Sequence, residues 1–227
     1  MIETIPTAVV SDAGLRVSCP VRVAPPGGRP LSPAWTMSGP ARPVQHYGSV
    51  DIFLEAMDLA QEGEVLVIDN RGRTDQGCVG DLVTLEVKLA KLQGIVIWGC
   101  HRDSAELLAL SLPVFSYGAI PSGPAGLDPR PADALRVARF GDFEVTADDW
   151  VVGDSDGILF LPRARQPEVF EVARLIWSTE REQVARALAG RSLREQFQWR
   201  DYLRRREEEP AYTFRDHLRG LRRSIEE

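Results

Sequence analysis

Between residues 49 and 117 short apolar runs alternate with helix-like stretches, and this alternation constrains the fold more than any other feature. Val65-Leu66-Val67-Ile68 and Ile95-Val96-Ile97-Trp98 read as strands, and a further strand is expected over 113–117. The spacing predicts helices over 49–61 (Ile52, Leu54, Ala56, Met57 and Ala60), over 82–93 with a stop at Gly94, and over 103–110. Strands and helices in strict succession predict a parallel sheet layered with helices, an α/β class. Each strand–helix–strand unit returns its loops to one edge of the sheet, the edge where α/β proteins bind ligands.

Two carboxylates and a guanidinium fall on that edge. Gly80-Asp81 follows a Gly-rich loop after the first strand, and Arg102-Asp103 follows the second strand with twenty residues between the pairs. Asp81 and Arg102–Asp103 are therefore expected to converge. Each also has a plainer reading. Asp103 and Asp81 each stand where a helix N-cap belongs, and Arg102 can be a surface ion-pair partner. The helix start after Gly80 offers the backbone N–H groups of Leu82 and Val83, a seat for a small carboxylate.

The flanking sequence is less regular. Residues 1–45, rich in Pro and Gly, read as loops and short strands wrapping the domain. Pro121 to Pro131 is a turn-rich connection. Residues 137–145 read as a hairpin about Gly141-Asp142, and 150–161 as a second about Asp154–Gly157. From Pro167 the pattern is helical, with further helices expected near Leu193–Arg206 and along Phe214, Leu218, Leu221 and Ile225. That last stripe needs a partner surface, either its own core or a second subunit.

A net charge of −6 and a pI near 5.3 disfavour a general nucleic-acid binder, which needs a basic face. Arg204-Arg205-Arg206 is followed at once by Glu207-Glu208-Glu209. No apolar stretch approaches the ~20 residues that span a bilayer. The opening Met1–Pro6 lacks the features of a signal peptide. Cys19, Cys78 and Cys100 make no disulfide framework. A cytoplasmic protein without membrane contact is expected. His101-Arg102-Asp103 spells a kinase triplet without the rest of the kinase set, and Asp154-Ser155-Asp156-Gly157 has its glycine too early for a calcium loop. His46, His101 and His217 lack zinc spacing. Lys88 and Lys91, the only lysines, both lie within the predicted helix 82–93, which argues against a Schiff-base lysine.

The Gly-Asp, twenty-residue, Arg-Asp signature resembles that of the RraA-like family of class II pyruvate aldolases. The likeness runs from about residue 8 to residue 163. It takes in Val10-Ser11-Asp12-Ala13, Gly28-Arg29-Pro30, Pro33-Ala34-Trp35-Thr36, Glu64–Asp69, Leu112-Pro113-Val114-Phe115 and Gly153–Ile158 running into Leu161-Pro162. The family includes 4-hydroxy-4-methyl-2-oxoglutarate and 4-carboxy-4-hydroxy-2-oxoadipate aldolases and a regulator of ribonuclease E.

The resemblance implies a swivelling β/β/α three-layer domain over 1–165, with a C-terminal helical extension over 166–227. It implies that Asp103 directly holds a divalent cation, Mg²⁺ or Mn²⁺. Asp81 would hold a metal-bound water, and Arg102 the pyruvate moiety. Gly80, Leu82 and Val83 would line the substrate. A Glu from a neighbouring subunit would complete the site; Glu180 fits best by its distance from Gly190, with Glu182 next. The implied protein is a homo-oligomer, a trimer or a dimer of trimers. It would act on a small 2-keto acid, releasing pyruvate from a 4-hydroxy-2-keto acid and decarboxylating oxaloacetate as a side activity. The rival reading is a non-catalytic regulator that binds a protein partner such as a ribonuclease. Reading the chain as a methyltransferase lacks support, since no Gly-rich nucleotide loop follows a first strand. Cys100 and His101 replace the small or aliphatic residues that often precede Arg-Asp in this family. His101 is therefore either structural or a contact to the distal part of the substrate.

Overall fold

The computed structural model describes residues 5–221. In chain order the elements are α1 (Thr7–Arg16), β1 (Arg22–Val23), β2 (Arg29–Pro30), β3 (Met37–Gln45), α2 (Asp51–Leu59), β4 (Val65–Val79), α3 (Asp81–Leu89), β5 (Gly94–His101), α4 (Ser104–Leu110) and β6 (Val114–Ser116). The hairpins β7 (Ala138–Phe140)–β8 (Phe143–Val145) and β9 (Asp149–Asp154)–β10 (Gly157–Pro162) follow. Helices α5 (Gln166–Leu188), α6 (Leu193–Gln196), α7 (Trp199–Glu208) and α8 (Phe214–Gly220) close the chain.

Strand β3 joins two sheets. Its second half, Ala41–Gln45, pairs parallel with β4, and β4, β5 and β6 continue the parallel order. Its first half, Met37–Pro40, pairs antiparallel with β9, which carries β10 and β1 beyond it. The two-residue period of a strand then sorts side chains into layers. Leu66, Ile68, Ile95 and Ile97 face Ile52, Phe53, Val83, Val87 and Leu107 of α2, α3 and α4. Val65, Val67, Val96 and Phe115 face the other way, onto Phe140, Val151, Ile158 and Phe160 of the hairpins. Val152, Leu159 and Leu161 on the far side of β9–β10 meet Val9, Val10 and Ala13 of α1 and Val169, Ala173 and Ile176 of α5. Each such large side chain removed from water contributes about 1.5–3 kcal/mol, so the strands are held from both faces. The result is the swivelling β/β/α arrangement, backed by α1 and α5.

The structure departs from expectation in three places, and in a fourth it decides between two expected alternatives. Residues 7–16, read as loop or short strand, form helix α1, because Val9, Val10 and Ala13 find a partner surface on α5 and β10 that local composition does not reveal. The stretch after Asp69, read as a Gly-rich loop, continues β4 as a bulged strand with register shifts near Asp69, Arg73 and Gly77. The helix expected over 193–206 breaks at Gln198, whose left-handed backbone (φ 50°) separates α6 from α7. The stripe Phe214–Leu218–Leu221 docks within its own chain. Phe214 rings contact Phe197, Trp199 and Tyr202, Leu218 is buried, and His217 Nε2 lies 2.8 Å from the Phe197 carbonyl. This satellite core removes the stripe as evidence for a subunit contact; Ile225 lies outside the described residues. No helix among the described residues is long and apolar enough to cross a membrane.

Candidate active site

Parallel pairing carries the ends of β4 and β5 to one edge, with Val79 opposite His101. Gly80-Asp81 and Arg102-Asp103 emerge there side by side. The Arg102 amide donates to the Val79 carbonyl at 2.9 Å, locking the two turns together. The expected convergence of Asp81, Arg102 and Asp103 is present.

Asp103 occupies the N-cap position of α4, yet its side chain makes no cap bond. Its backbone is left-handed (φ 60°, ψ 42°), a conformation uncommon outside glycine though more accessible to Asp and Asn, and one that tends to cluster at functional sites. The carboxylate turns back toward α3. Its Oδ2 lies 3.4 Å from the Asp81 amide and 3.5 Å from Arg102 Nε. Both contacts are long for charge-assisted bonds, so the carboxylate retains acceptor capacity. Gly80 makes this approach possible: a Cβ there would sit 2.1 Å from Asp103 Oδ2.

Asp81 is the first residue of α3, and Gly80 is the N-cap. Asp81 Oδ1 accepts from the Leu82 amide at 2.8 Å, leaving Oδ2 for other work. The anion seat expected from Leu82 and Val83 is therefore partly filled, and a ligand there has to exchange with the Asp81 carboxylate. Arg102 is about half exposed and lies across Gly123, where a Cβ would stand 2.7 Å from Nη1. Gly123 belongs to the 121–131 connection, pinned to β4 by the Gly77 amide donating to the Ser122 carbonyl at 2.8 Å. Nothing in the sequence linked Gly123 to Arg102, since 21 residues and an irregular loop separate them.

His101 is a brace. It is buried, with Nδ1 2.7 Å from Ser116 Oγ and Nε2 2.9 Å from Ser104 Oγ. Ser116 Oγ can donate to the Gly118 carbonyl, so Nδ1–H donates to Ser116 and Nε2 accepts from Ser104. Burial pushes its pKa below the usual imidazole range, against a smaller upward pull from Asp103. Both nitrogens are spent on tying β5 to β6 and α4. Cys100 and Cys78 are also buried, with their thiols raised by desolvation. Lys88 Nζ donates to the Leu110 carbonyl and Lys91 pairs with Glu62, so neither lysine reaches into the site.

The donors suit a hard divalent cation. Asp103 is uncapped beside the space Gly80 leaves, and Asp81 Oδ2 is close by in the chain. No group of three His, Cys, Asp or Glu side chains able to hold a metal gathers among the described residues. The protein would thus supply few ligands and water the rest, as Mg²⁺ tolerates. Glu180 and Glu182 are elsewhere. They ride on α5, past the Val169–Ile176 stretch that packs behind β9–β10, with Glu182 3.5 Å from Arg186.

The sequence profile of the RraA-like family, described as Aldolase/RraA, matches residues 7–160. The chain belongs to the RraA-like family. A protein of Halalkalibacterium halodurans named "Putative 4-hydroxy-4-methyl-2-oxoglutarate aldolase" is 30% identical over 178 residues, spanning 76% of this chain and 80% of that protein. Among solved structures, an uncharacterized protein from Pseudomonas syringae superposes with a TM-score of 0.73 at 27% identity, covering 86% of this chain and 92% of that one. The RNA-processing inhibitor RraA from Thermus shares the fold at 21% identity, with a TM-score of 0.56 over 67% of this chain and 92% of that one. The family match ends near β10, so α5 to α8 lie beyond it.

Proposed function

We propose that the protein is a divalent-metal-dependent aldolase that cleaves a 4-hydroxy-2-keto acid to pyruvate, with oxaloacetate decarboxylation as a side activity. The observation that carries this reading is the Asp103 carboxylate, held in a left-handed turn, uncapped, and aimed at the space that Gly80 keeps open. Asp103 would hold Mg²⁺ or Mn²⁺. When bound, the cation supplies Lewis-acid polarisation of the keto group.

The chain's own groups divide the remaining work. Arg102 offers a planar fork to the carboxylate and keto oxygens, a geometry lysine cannot reproduce. Asp81 Oδ2 takes the proton from the 4-hydroxyl. As the C4–O bond becomes a carbonyl, the C3–C4 bond breaks and its electron pair passes into the C2–C3 enolate. Arg102, a fixed cation prepared before the reaction, stabilises the oxygen on which that charge develops. Return of that proton from Asp81 to C3 then yields pyruvate and regenerates the carboxylate. Decarboxylation of oxaloacetate develops charge on the same oxygen and calls on the same residues.

Glu180, or Glu182 one position beyond its neighbour, would come from an adjacent subunit of a trimer or dimer of trimers and share the proton with Asp81. Support comes from α3, where Leu82, Leu85 and Leu89 are 73%, 39% and 67% exposed beside Asp81. Val184 and Leu188 of α5, one turn apart on one face, are 41% and 85% exposed. Two apolar faces of this kind favour association.

A coupled assay of pyruvate release over a panel of 4-hydroxy-2-keto acids, with Mg²⁺, with Mn²⁺ and with excess EDTA, tests the reading. Cleavage that survives EDTA overturns the metal mechanism, and no cleavage of any panel member leaves a protein-binding regulator as the better account. Mixing Asp103→Ala with Glu180→Ala subunits should restore part of the activity if sites are shared. Wild-type rates in both Glu180→Ala and Glu182→Ala would remove the shared carboxylate.

A further inference from the structure

A second polar cavity lies on the same sheet edge, at the ends of β3 and the first half of β4. It measures ≈ 170 Å³ and is bounded by His46, Asn70, Arg71, Arg73, Gln76 and the 125–128 segment. Its wall is well tied. The Asp128 amide donates to the Tyr47 carbonyl at 2.8 Å, and Gly48 lies so close to Gly126 that a Cβ would stand 2.2 Å from the Gly126 carbonyl oxygen. The five-residue step from Gly123, beside Arg102, to Asp128 spans at most roughly 18 Å. The cavity therefore neighbours the Asp103 site, and none of the roles proposed there uses it.

His46 sets its chemistry. The ring is buried, lies parallel to Phe53 with centroids 5.4 Å apart, and places Nδ1 3.0 Å from Asn70 Oδ1. Asn70 Nδ2 faces the Gln76 carbonyl at 3.5 Å, which orients the amide so that Oδ1 is the atom offered to His46. His46 is thus the Nδ1–H tautomer and keeps a lone pair on Nε2. Among the described residues no buried side-chain nitrogen or oxygen lacks a partner. Nε2 makes no bond to the described residues, so it is open to the cavity that His46 lines. Burial lowers the His46 pKa below the usual imidazole range, against the upward pull of the Asn70 hydrogen bond and with Arg71 and Arg73 adding to the lowering.

Arg71 supplies the charge. It stands in the left-handed region (φ 58°), followed by Gly72 in the same region (φ 66°), and its amide donates to Asp69 Oδ1 at 2.7 Å. Arg71, in a bulge of β4, and Asp103, just past β5, thus share the same rare backbone. The Arg71 guanidinium meets Asp128 through one bond, Nη1 to Oδ2 at 2.9 Å, with both side chains about half exposed. A pair this exposed is worth ~0–1 kcal/mol and exchanges readily. Arg73 is occupied by two bonds to Asp75, so Arg71 is the cation with bonds to give.

We propose that this cavity binds a small hydroxycarboxylate: its carboxylate replaces Asp128 on Arg71, and its hydroxyl donates to His46 Nε2. The pairing of one cation with one neutral acceptor selects an anion that also carries a donor. A plain carboxylate leaves His46 unmatched, and a neutral alcohol leaves Arg71 on Asp128.

Calorimetric titration of the full chain tests this without reference to turnover. The background is Arg102→Ala, so that the neighbouring site does not capture the anion. L-lactate is the probe, with propionate lacking the hydroxyl, lactamide lacking the charge, and inorganic phosphate as a competing anion. Lactate should bind at least ~5-fold more tightly than propionate or lactamide, a gap equal to about 1 kcal/mol. Arg71→Gln should abolish binding, and His46→Phe, which keeps the stacked ring, should erase the preference over propionate. Asp128→Asn, which needs no refolding of the wall, should tighten lactate binding because the resident carboxylate no longer competes. Equal binding of lactamide, a tighter fit for phosphate, or lactate affinity unchanged in both Asp128→Asn and Arg71→Gln would overturn the assignment.

Discussion

His46, directly after β3, and His101, the last residue of β5, stand on the same edge of one parallel sheet, and both rings are buried and shifted toward the neutral form by burial. Their second nitrogens differ. At His101 both ring nitrogens are spent on serines, and the reactive groups are the next two residues, Arg102 and Asp103, which stay partly exposed with long mutual contacts. At His46 only Nδ1 is spent. Adjacency to a signature is thus a poor guide to role. Bond saturation is a better one, because a buried polar group with all its partners rigidifies a structure, whereas one with capacity to spare can meet a ligand.

Asp103→Asn, which tolerates the left-handed turn, should lower kcat/KM for pyruvate release by at least ~10³-fold, while the thermal midpoint stays near wild type, since the carboxylate caps no helix. Retained activity would make Asp103 a mere turn residue. Arg102→Lys keeps the charge and loses the fork, and should cost ~10²-fold in kcat/KM for both cleavage and decarboxylation. A change within twofold would place Arg102 outside the chemistry.

His101→Ala should show the opposite pattern. Removing the ring leaves the Ser104 and Ser116 hydroxyls short of a partner, and the chain should lose about 2 kcal/mol in urea-induced unfolding. The activity per folded molecule should change little by comparison. A large loss of kcat without a loss of stability would turn the brace into a reagent. Gly80→Ala should sit lower on the scale, at ~10-fold in kcat/KM, because the added methyl displaces Asp103 Oδ2 without removing it. Activity equal to wild type would show that the close approach is not used.

Much of this edge could be read from the sequence. The runs at 65–68 and 95–98 gave the parallel strands, and the spacing of Gly80-Asp81 and Arg102-Asp103 placed both pairs at strand ends. The parts that stayed hidden depend on contacts distant in the chain. Helix α1 is stabilised by α5, some 150 residues later, and no local pattern announces that surface. The bulges of β4 look like a loop because Gly72 and Gly77 read as breakers, yet β5 supplies partners for Arg73, Gly77 and Val79. Gly123 and Asp128 carry no motif, and their closeness to Arg102 and Arg71 follows only from how the 121–131 connection crosses the sheet edge. The uncapped state of Asp103 was likewise not legible, since an Asp before a helix ordinarily caps it.

The smallest effect concerns what the two histidines share. A group whose native pKa lies below its unfolded value binds fewer protons when folded, so unfolding takes up a proton and stability rises with pH. For His46 and His101 the contribution is fully present above the unfolded value near 6.5 and is lost as pH falls below it. Each ring adds a slope of at most ~1.4 kcal/mol per pH unit. Asp51, Asp75 and Asp216, whose carboxyls are lowered by hydrogen bonds, contribute stability that is lost only at lower pH, below their ordinary 3.8. Urea unfolding at intervals between pH 4.5 and 6.5 therefore isolates the rings. The free energy should decline with falling pH, less steeply in His46→Phe and in His101→Gln, and least in the double variant. A flat profile in the unsubstituted chain would show that neither ring is held neutral. An unaltered slope in His46→Phe alone would show that His46 takes up its proton as readily folded as unfolded.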